Sequence, residues 1–150
     1  MIEVEELRED EIRGLLSRLH YGHLAVADDD VPYVVPVHFA YDNGEIIVYT
    51  TDGKKSVIIN KNPLVCLQAE EVIDNEHWES VIVNGKAIRL TEDIEIANAL
   101  KLITSINPTL TPAISVHWLD NWVKENIPVI YHIAPERSSG LRAASRTDAR

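Results

Sequence analysis

The sequence predicts a mainly β domain, six antiparallel strands closed into a barrel with two or three helices at its periphery. Three observations lead there. Apolar runs of strand length recur along the chain, Asn43-Gly44 stands between two of them, and only short stretches show the period of a helix. At 150 residues the chain is long enough for one domain. A domain of that size buries roughly 70% of the surface its unfolded chain exposes.

The elements follow in order. In "EDEIRGLLSRLH", Ile12, Leu15, Leu16 and Leu19 fall at i, i+3, i+4 and i+7, one apolar helix stripe with Asp10 as its expected N-cap. "GHLAVAD" is a strand, "DDDVP" a solvated turn and "YVVPVHFAYD" a second strand. Asn-Gly then signals a two-residue hairpin into "EIIVYTT". "KKSVIINKNP" is a short helix stopped near Pro63. "LVCLQAEEV" and "ESVIVNGKAIRLT" are further strands, and "EDIEIANALKLIT" is a second amphipathic helix with Ile94, Ala97, Leu100 and Lys101 on adjoining turns. "INPTLTPAIS" is a loop, "VHWLDNWVKEN" a short helix and "PVIYHIAPE" the last strand. Barrel closure is the usual way such a sheet loses its exposed edges. The domain is expected to span residues 1–136. Residues 137–150, "RSSGLRAASRTDAR", are small, polar and mildly basic, and are expected to form a mobile tail.

Pro36 interrupts a strand, which places it at a sheet edge or at a bulge. Bulges are frequent beside ligand sites, and the spacing alone does not choose between the two.

Composition excludes several classes. The net charge of −10 argues against nucleic acid, whose phosphates need clustered cations, and against an anionic membrane surface. No apolar run approaches the roughly 20 residues of a membrane span. The acidic N-terminus does not read as a secretory or transit signal. Cys66 stands alone, so a reducing cytoplasm is expected, with the thiol buried and inert. The histidines show neither HxH on a strand nor HxxxH on a helix, and Asp28–Asp30 lack the spacing of a calcium loop, so no metal is expected.

Against this acidic background Lys54 and Lys55 stand out. No lysine or arginine occurs between residues 19 and 53, and the pair then follows two threonines and a glycine. One reading is a solvated pair at a helix start. Lysines there oppose the helix dipole, however, and a bound anion would relieve that conflict while taking the free N–H groups. Small anions remain compatible with an acidic protein, because two well-placed cations can hold one phosphate.

Taken in order, "PYVVPVHF", the Asn-Gly hairpin, "YTT…KK", "NP" and "WESVIVNG" resemble the flavin-binding split-barrel superfamily. That superfamily includes pyridoxamine 5'-phosphate oxidase and the nitroimidazole-resistance-like proteins. The resemblance runs from about residue 15 to residue 91, and more loosely to Glu136. It implies the six-stranded split β-barrel that binds FMN. It also implies a homodimer with the flavin at the subunit interface, each site drawing on both chains. Tyr49, Thr50, Lys54 and Lys55 match the segment that grips the FMN phosphate, with Thr51 and Ser56 beside them. Pro36, Val37 and His38 match the strand whose backbone runs along the isoalloxazine ring. Ser80, with Trp78 just upstream, matches a further flavin contact.

His38 is either a hydrogen-bonding partner of flavin or substrate, or an ordinary strand histidine. Trp118 and Trp122 either pack a helix on the core or supply an aromatic to the flavin or the dimer seam. "PERSSGLRAASR" does not match the Arg- and His-containing segment with which the oxidase reads pyridoxal phosphate. The resemblance therefore implies flavin binding without vitamin B6 oxidation, in an FMN-dependent oxidoreductase acting on an unidentified small acceptor. Its alternatives are a non-catalytic flavin, haem or deazaflavin module, and a dimeric interaction protein that has lost its ligand.

Overall fold

The computed structural model describes residues 2–108 and 128–145. Seven strands and three helices occur among them: β1 (Ile2–Glu6), α1 (Glu9–Arg18), β2 (Tyr21–Asp28), β3 (Val31–Asp42), β4 (Glu45–Thr51), α2 (Lys54–Lys61), β5 (Leu64–Asp74), β6 (His77–Arg89), α3 (Asp93–Ile106) and β7 (Pro128–Ser145). The helix expected at "VHWLDNWVKEN", with Trp118 and Trp122, lies outside the described residues.

All pairings are antiparallel. The sheet order is β1-β7-β4-β3-β2-β5-β6, and β6 pairs again with β7. Six strands therefore close a barrel, as expected, and β1 is an addition that the sequence reading missed. The split has a location. One edge of β7 serves β4 from Pro128 to Ile133 and then β1 from Leu141 to Ser145. Helix α1 inserts its apolar stripe beside this gap, and Leu15 and Leu16 are buried in the barrel core with Phe39, Val48 and Tyr131. A second, smaller core lies on the outer surface, where Ala99 and Ile103 of α3 cover Ala40, Tyr49 and Ile130.

Both tight hairpins follow from local chemistry. Asn43 and Gly44 have φ of 53° and 78°, the left-handed pair of a two-residue turn, and Asp42 pairs with Glu45. Asp29 and Asp30 adopt φ of 47° and 66° between the paired Asp28 and Val31. Aspartate tolerates that region better than most residues, which fits the solvated turn read from the acidic run.

Two expectations need correction. The N-cap of α1 is Arg8, not Asp10. Its backbone N–H donates to Glu11 Oε1 at 3.1 Å, and Asp10 lies inside the first turn, where its charge suits the dipole. Residues 137–145, expected to be mobile, belong to β7. They pair with β6 on one edge and, from Leu141, with β1 on the other. Backbone ladders and ion pairs hold this stretch, so its small polar side chains gave no apolar signal.

Pro36 pairs with His23 on β2, whereas the pairing of β3 with β4 begins only at His38. The proline therefore occupies the one-sided part of the strand, where a missing N–H costs no ladder bond. Gly85 sits at the β6 irregularity opposite β7. A Cβ there would lie 2.4 Å from the Ala134 carbonyl oxygen, so glycine is required for the close approach of the strands.

Candidate functional site

The end of β4 and the start of α2 form the chemically loaded part of the molecule. Strand alternation divides the neighbours Tyr49 and Thr50 between two faces. The Tyr49 ring packs under α3, where burial raises its pKa above the ordinary tyrosine value. Thr50 is completely buried, and its Oγ1 has no hydrogen-bond partner among the described residues. The Tyr131 hydroxyl is also buried, with no hydrogen-bond partner among the described residues. Burial holds its pKa up, and the nearby Ser56 hydroxyl pulls the other way at a geometry short of a hydrogen bond. Buried polar atoms without partners are uncommon, and two at one end of a barrel call for a physical reason.

The turn into α2 is tied by Ser56, whose Oγ accepts the Gly53 N–H at 2.8 Å and donates to the Asp52 carboxylate. Asp52 also faces Arg89 at 3.8 Å. Arg89 reaches this place because β6 pairs with β7 at Arg89–Tyr131. The first amides of α2 have no intrahelical acceptor, as at every helix start. Into this setting come the two lysines. Lys55 is half-buried, with no carboxylate in ion-pair contact among the described residues. Burial pushes its ammonium below the usual lysine pKa, with Asp52 partly opposing. Lys54 is exposed and holds its Nζ 4.7 Å from the centre of the Tyr33 ring.

A cation driven into a partly desolvated position, free N–H groups at a helix start and a buried unmatched hydroxyl together suit an anion. Phosphate fits this donor set. Among the described residues no cluster of three His, Cys, Asp or Glu side chains is placed to hold a metal.

The remaining sequence candidates fall elsewhere. Pro36 and His38 face outward on β3, while the Val37 side chain is buried in the barrel core and leaves only its backbone for the outer surface. His38 forms an aromatic group with Tyr21 and His23: the Tyr21 ring centre lies 6.1 Å from His38 and 5.6 Å from His23. Burial lowers the His38 pKa, against a bond to the His20 backbone, so the ring is neutral at neutral pH. Trp78 and Ser80 lie on β6 opposite Val72 and Glu70. Ser80 lines a cleft of about 370 Å³ with Ser138 and Ser139, separate from the cleft that Lys54 lines. One chain thus gathers Thr50, Thr51, Lys54, Lys55 and Ser56 and leaves Trp78 and Ser80 apart. Asp52, Arg89, Tyr131 and Tyr33 are additions that the sequence reading did not identify. Cys66 is half-buried, and burial raises its pKa, so it remains a thiol.

The family model of pyridoxamine 5'-phosphate oxidase matches residues 8–142. The chain belongs to this family. An uncharacterised Rhizobium meliloti protein is 31% identical over 83 residues, a match that covers 55% of this chain and 55% of that relative. Among solved structures, a FAD-binding protein from Mesorhizobium loti is 26% identical with a TM-score of 0.76, over 97% of this chain and all of that one. A candidate 5-nitroimidazole resistance protein from Bacteroides thetaiotaomicron, at 18% identity and a TM-score of 0.68 over 97% and 93% of the two chains, shares the fold. Membership in the pyridoxamine 5'-phosphate oxidase family agrees with the split-barrel fold. No described helix is long and apolar enough to cross a membrane.

Proposed function

We propose that this chain is a flavoprotein that holds the FMN unit of a flavin by its phosphate at Lys54 and Lys55, and that it serves as a flavin-dependent oxidoreductase for a small acceptor. The observation that carries the proposal is the half-buried Lys55 ammonium at the start of α2, with no ion-pair partner among the described residues, five positions after Thr50, whose buried hydroxyl has no hydrogen-bond partner among them either. The FMN phosphate carries close to two negative charges near neutral pH. Each charge-assisted bond to it is worth roughly 1.5–3 kcal/mol. The FAD-binding relative at 26% identity supports a flavin as the ligand.

Once bound, the flavin supplies hydride or electron transfer, and the protein supplies binding and orientation. Thr50, Ser56 and the α2 amides complete the phosphate cradle around the lysines. Neutral His38 lies on the outer face of β3, where it offers a hydrogen bond to the ring or to an acceptor. The separation of Trp78 and Ser80 from the lysines supports a homodimer in which these two residues serve the flavin held by the other copy. Exposed Tyr21, Val34 and Val72 on adjoining strands are apolar surface that such a partner would cover.

The test is a visible spectrum of the purified protein before and after addition of FMN, with molecular mass measured in parallel. The expected result is the two-banded spectrum of oxidised flavin on a dimer. A single intense Soret band, or a colourless protein that takes up no flavin, would overturn the reading.

A further inference from the structure

Asp52 divides its two carboxylate oxygens between two duties. Oδ1 accepts the Ser56 hydroxyl, which in turn accepts the Gly53 N–H at the entry to α2. Oδ2 faces the Arg89 guanidinium at 3.8 Å. That separation exceeds a hydrogen bond, and the two side chains are 40% and 39% exposed. Ion pairs so open and so long add little to stability. Among the described residues the Arg89 guanidinium has no other ion pair and no hydrogen bond, so most of its five N–H donors are uncommitted. Register sets its position. Arg89 pairs with Tyr131 across β6 and β7, and paired residues project from one face of a sheet. Tyr131 in turn pairs with Val48 on β4, and Thr50 lies on the same face as Val48, two residues on. Arg89, Tyr131 and Thr50 therefore share the inner face at one end of the barrel. Tyr131 and Thr50 are fully buried, and neither hydroxyl has a hydrogen-bond partner among the described residues.

A carboxylate among donors and cations is the wrong neighbour for an arriving phosphate. Its presence has a physical reason if it serves the ligand-free chain. Without a bound anion, Lys55 and Arg89 would stand close together at the barrel end with no negative charge between them. Asp52 supplies that charge, and Ser56 pins it in place. A phosphate offers a guanidinium a better match than one distant carboxylate oxygen, because its terminal oxygens can take two parallel N–H bonds. The charges also agree: Lys54, Lys55 and Arg89 against Asp52 leave two positive charges, close to what a phosphate monoester carries with opposite sign. We infer that Asp52 is an internal stand-in for the ligand's phosphate, and that Arg89 passes from this carboxylate to the phosphate when the ligand binds. Carboxylate and ligand thus compete for one guanidinium, and this competition sets the preference for a phosphorylated flavin over one without phosphate. The inference rests on the flavin reading above and adds Arg89 and Asp52 to its site.

The test is a titration of flavin-free protein with FMN and with riboflavin, followed by quenching of flavin fluorescence. Arg89→Met should weaken FMN by about tenfold or more and leave riboflavin within about twofold. Arg89→Lys keeps the charge without the fork and should recover part of the loss. Asp52→Asn keeps an oxygen for the Ser56 hydroxyl and removes the competing charge, so it should tighten FMN by about threefold or more. The decisive measurement is the double variant. Once Arg89 is Met there is nothing to compete for, and the gain from Asp52→Asn should fall to less than half of its size on a logarithmic scale. Unchanged FMN affinity in Arg89→Met, weaker FMN in Asp52→Asn, an undiminished gain in the double variant, or equal losses of FMN and riboflavin overturns the competition and leaves the flavin reading standing. Failure of the parent protein to bind either flavin overturns both.

Discussion

Arg142 of β7 donates from Nε to Glu79 of β6 at 3.2 Å. The same guanidinium meets Glu11 of α1 and Glu5 of β1, so one side chain in the supposed tail ties four elements together. Deletion of residues 137–150 should therefore abolish the cooperative thermal transition rather than trim a loose end. Arg142→Ala should lower the melting temperature by a smaller amount, and the loss should shrink in high salt, as expected for partly exposed pairs. A truncated protein that melts like the full chain would refute this.

Leu15 is fully buried where α1 meets the gap in the barrel. Leu15→Ala should cost about 2–5 kcal/mol, since the rigid strands around it cannot collapse into the cavity. Urea unfolding would show this as a shift of the midpoint with an unchanged slope.

Thr50 is predicted to affect stability and binding with opposite signs. Valine matches its shape and removes a buried hydroxyl that lacks a partner among the described residues. Thr50→Val should stabilise the ligand-free protein by about 1–3 kcal/mol, the usual cost of an unsatisfied buried group. Flavin affinity should fall in the same variant, read by calorimetry. A loss of stability would mean that the hydroxyl has a partner in the free protein.

Lys55→Ala should weaken flavin binding by roughly ten- to a hundredfold, from the loss of about 1.5–3 kcal/mol of charge-assisted bonding. An unchanged dissociation constant would remove this residue from the cradle.

The Lys55 pKa is depressed by burial, so its folded value lies below the unfolded one. At pH below the folded value both states carry the charge, and burial of that charge is a standing cost. The cost is relieved as pH rises through the folded value toward the ordinary lysine range. The ligand-free protein should thus gain stability in mild alkali. Flavin affinity should fall over the same interval, as the cation is lost. Lys55→Arg should remove this limb of the affinity profile, because guanidinium stays charged.

Much of the barrel was legible because its strands bury one face and its hairpins carry left-handed residues, as at Asn43-Gly44. β1 was not, because all five residues from Ile2 to Glu6 are exposed and the strand is held by its backbone ladder to β7. The end of β7 was missed because its buried residues, Gly140 and Ala143, are too small to mark an apolar face. At the site, Thr50 to Ser56 could be read because they are contiguous. Arg89 and Tyr131 meet them only through the register of β6 against β7, and Tyr33 meets Lys54 only through the packing of α2. No local pattern encodes such long-range meetings.

The eighteen residues of β7 supply hydrogen bonds to three other strands, and they follow those strands in the chain. During synthesis, β4 and β6 must wait with bare backbone edges until that segment leaves the ribosome. For this interval the nascent polypeptide is an open ribbon, prone to pair with a neighbour. Translation speed over the codons of β7 and chaperone supply should therefore influence yield more than the stability of the finished barrel does.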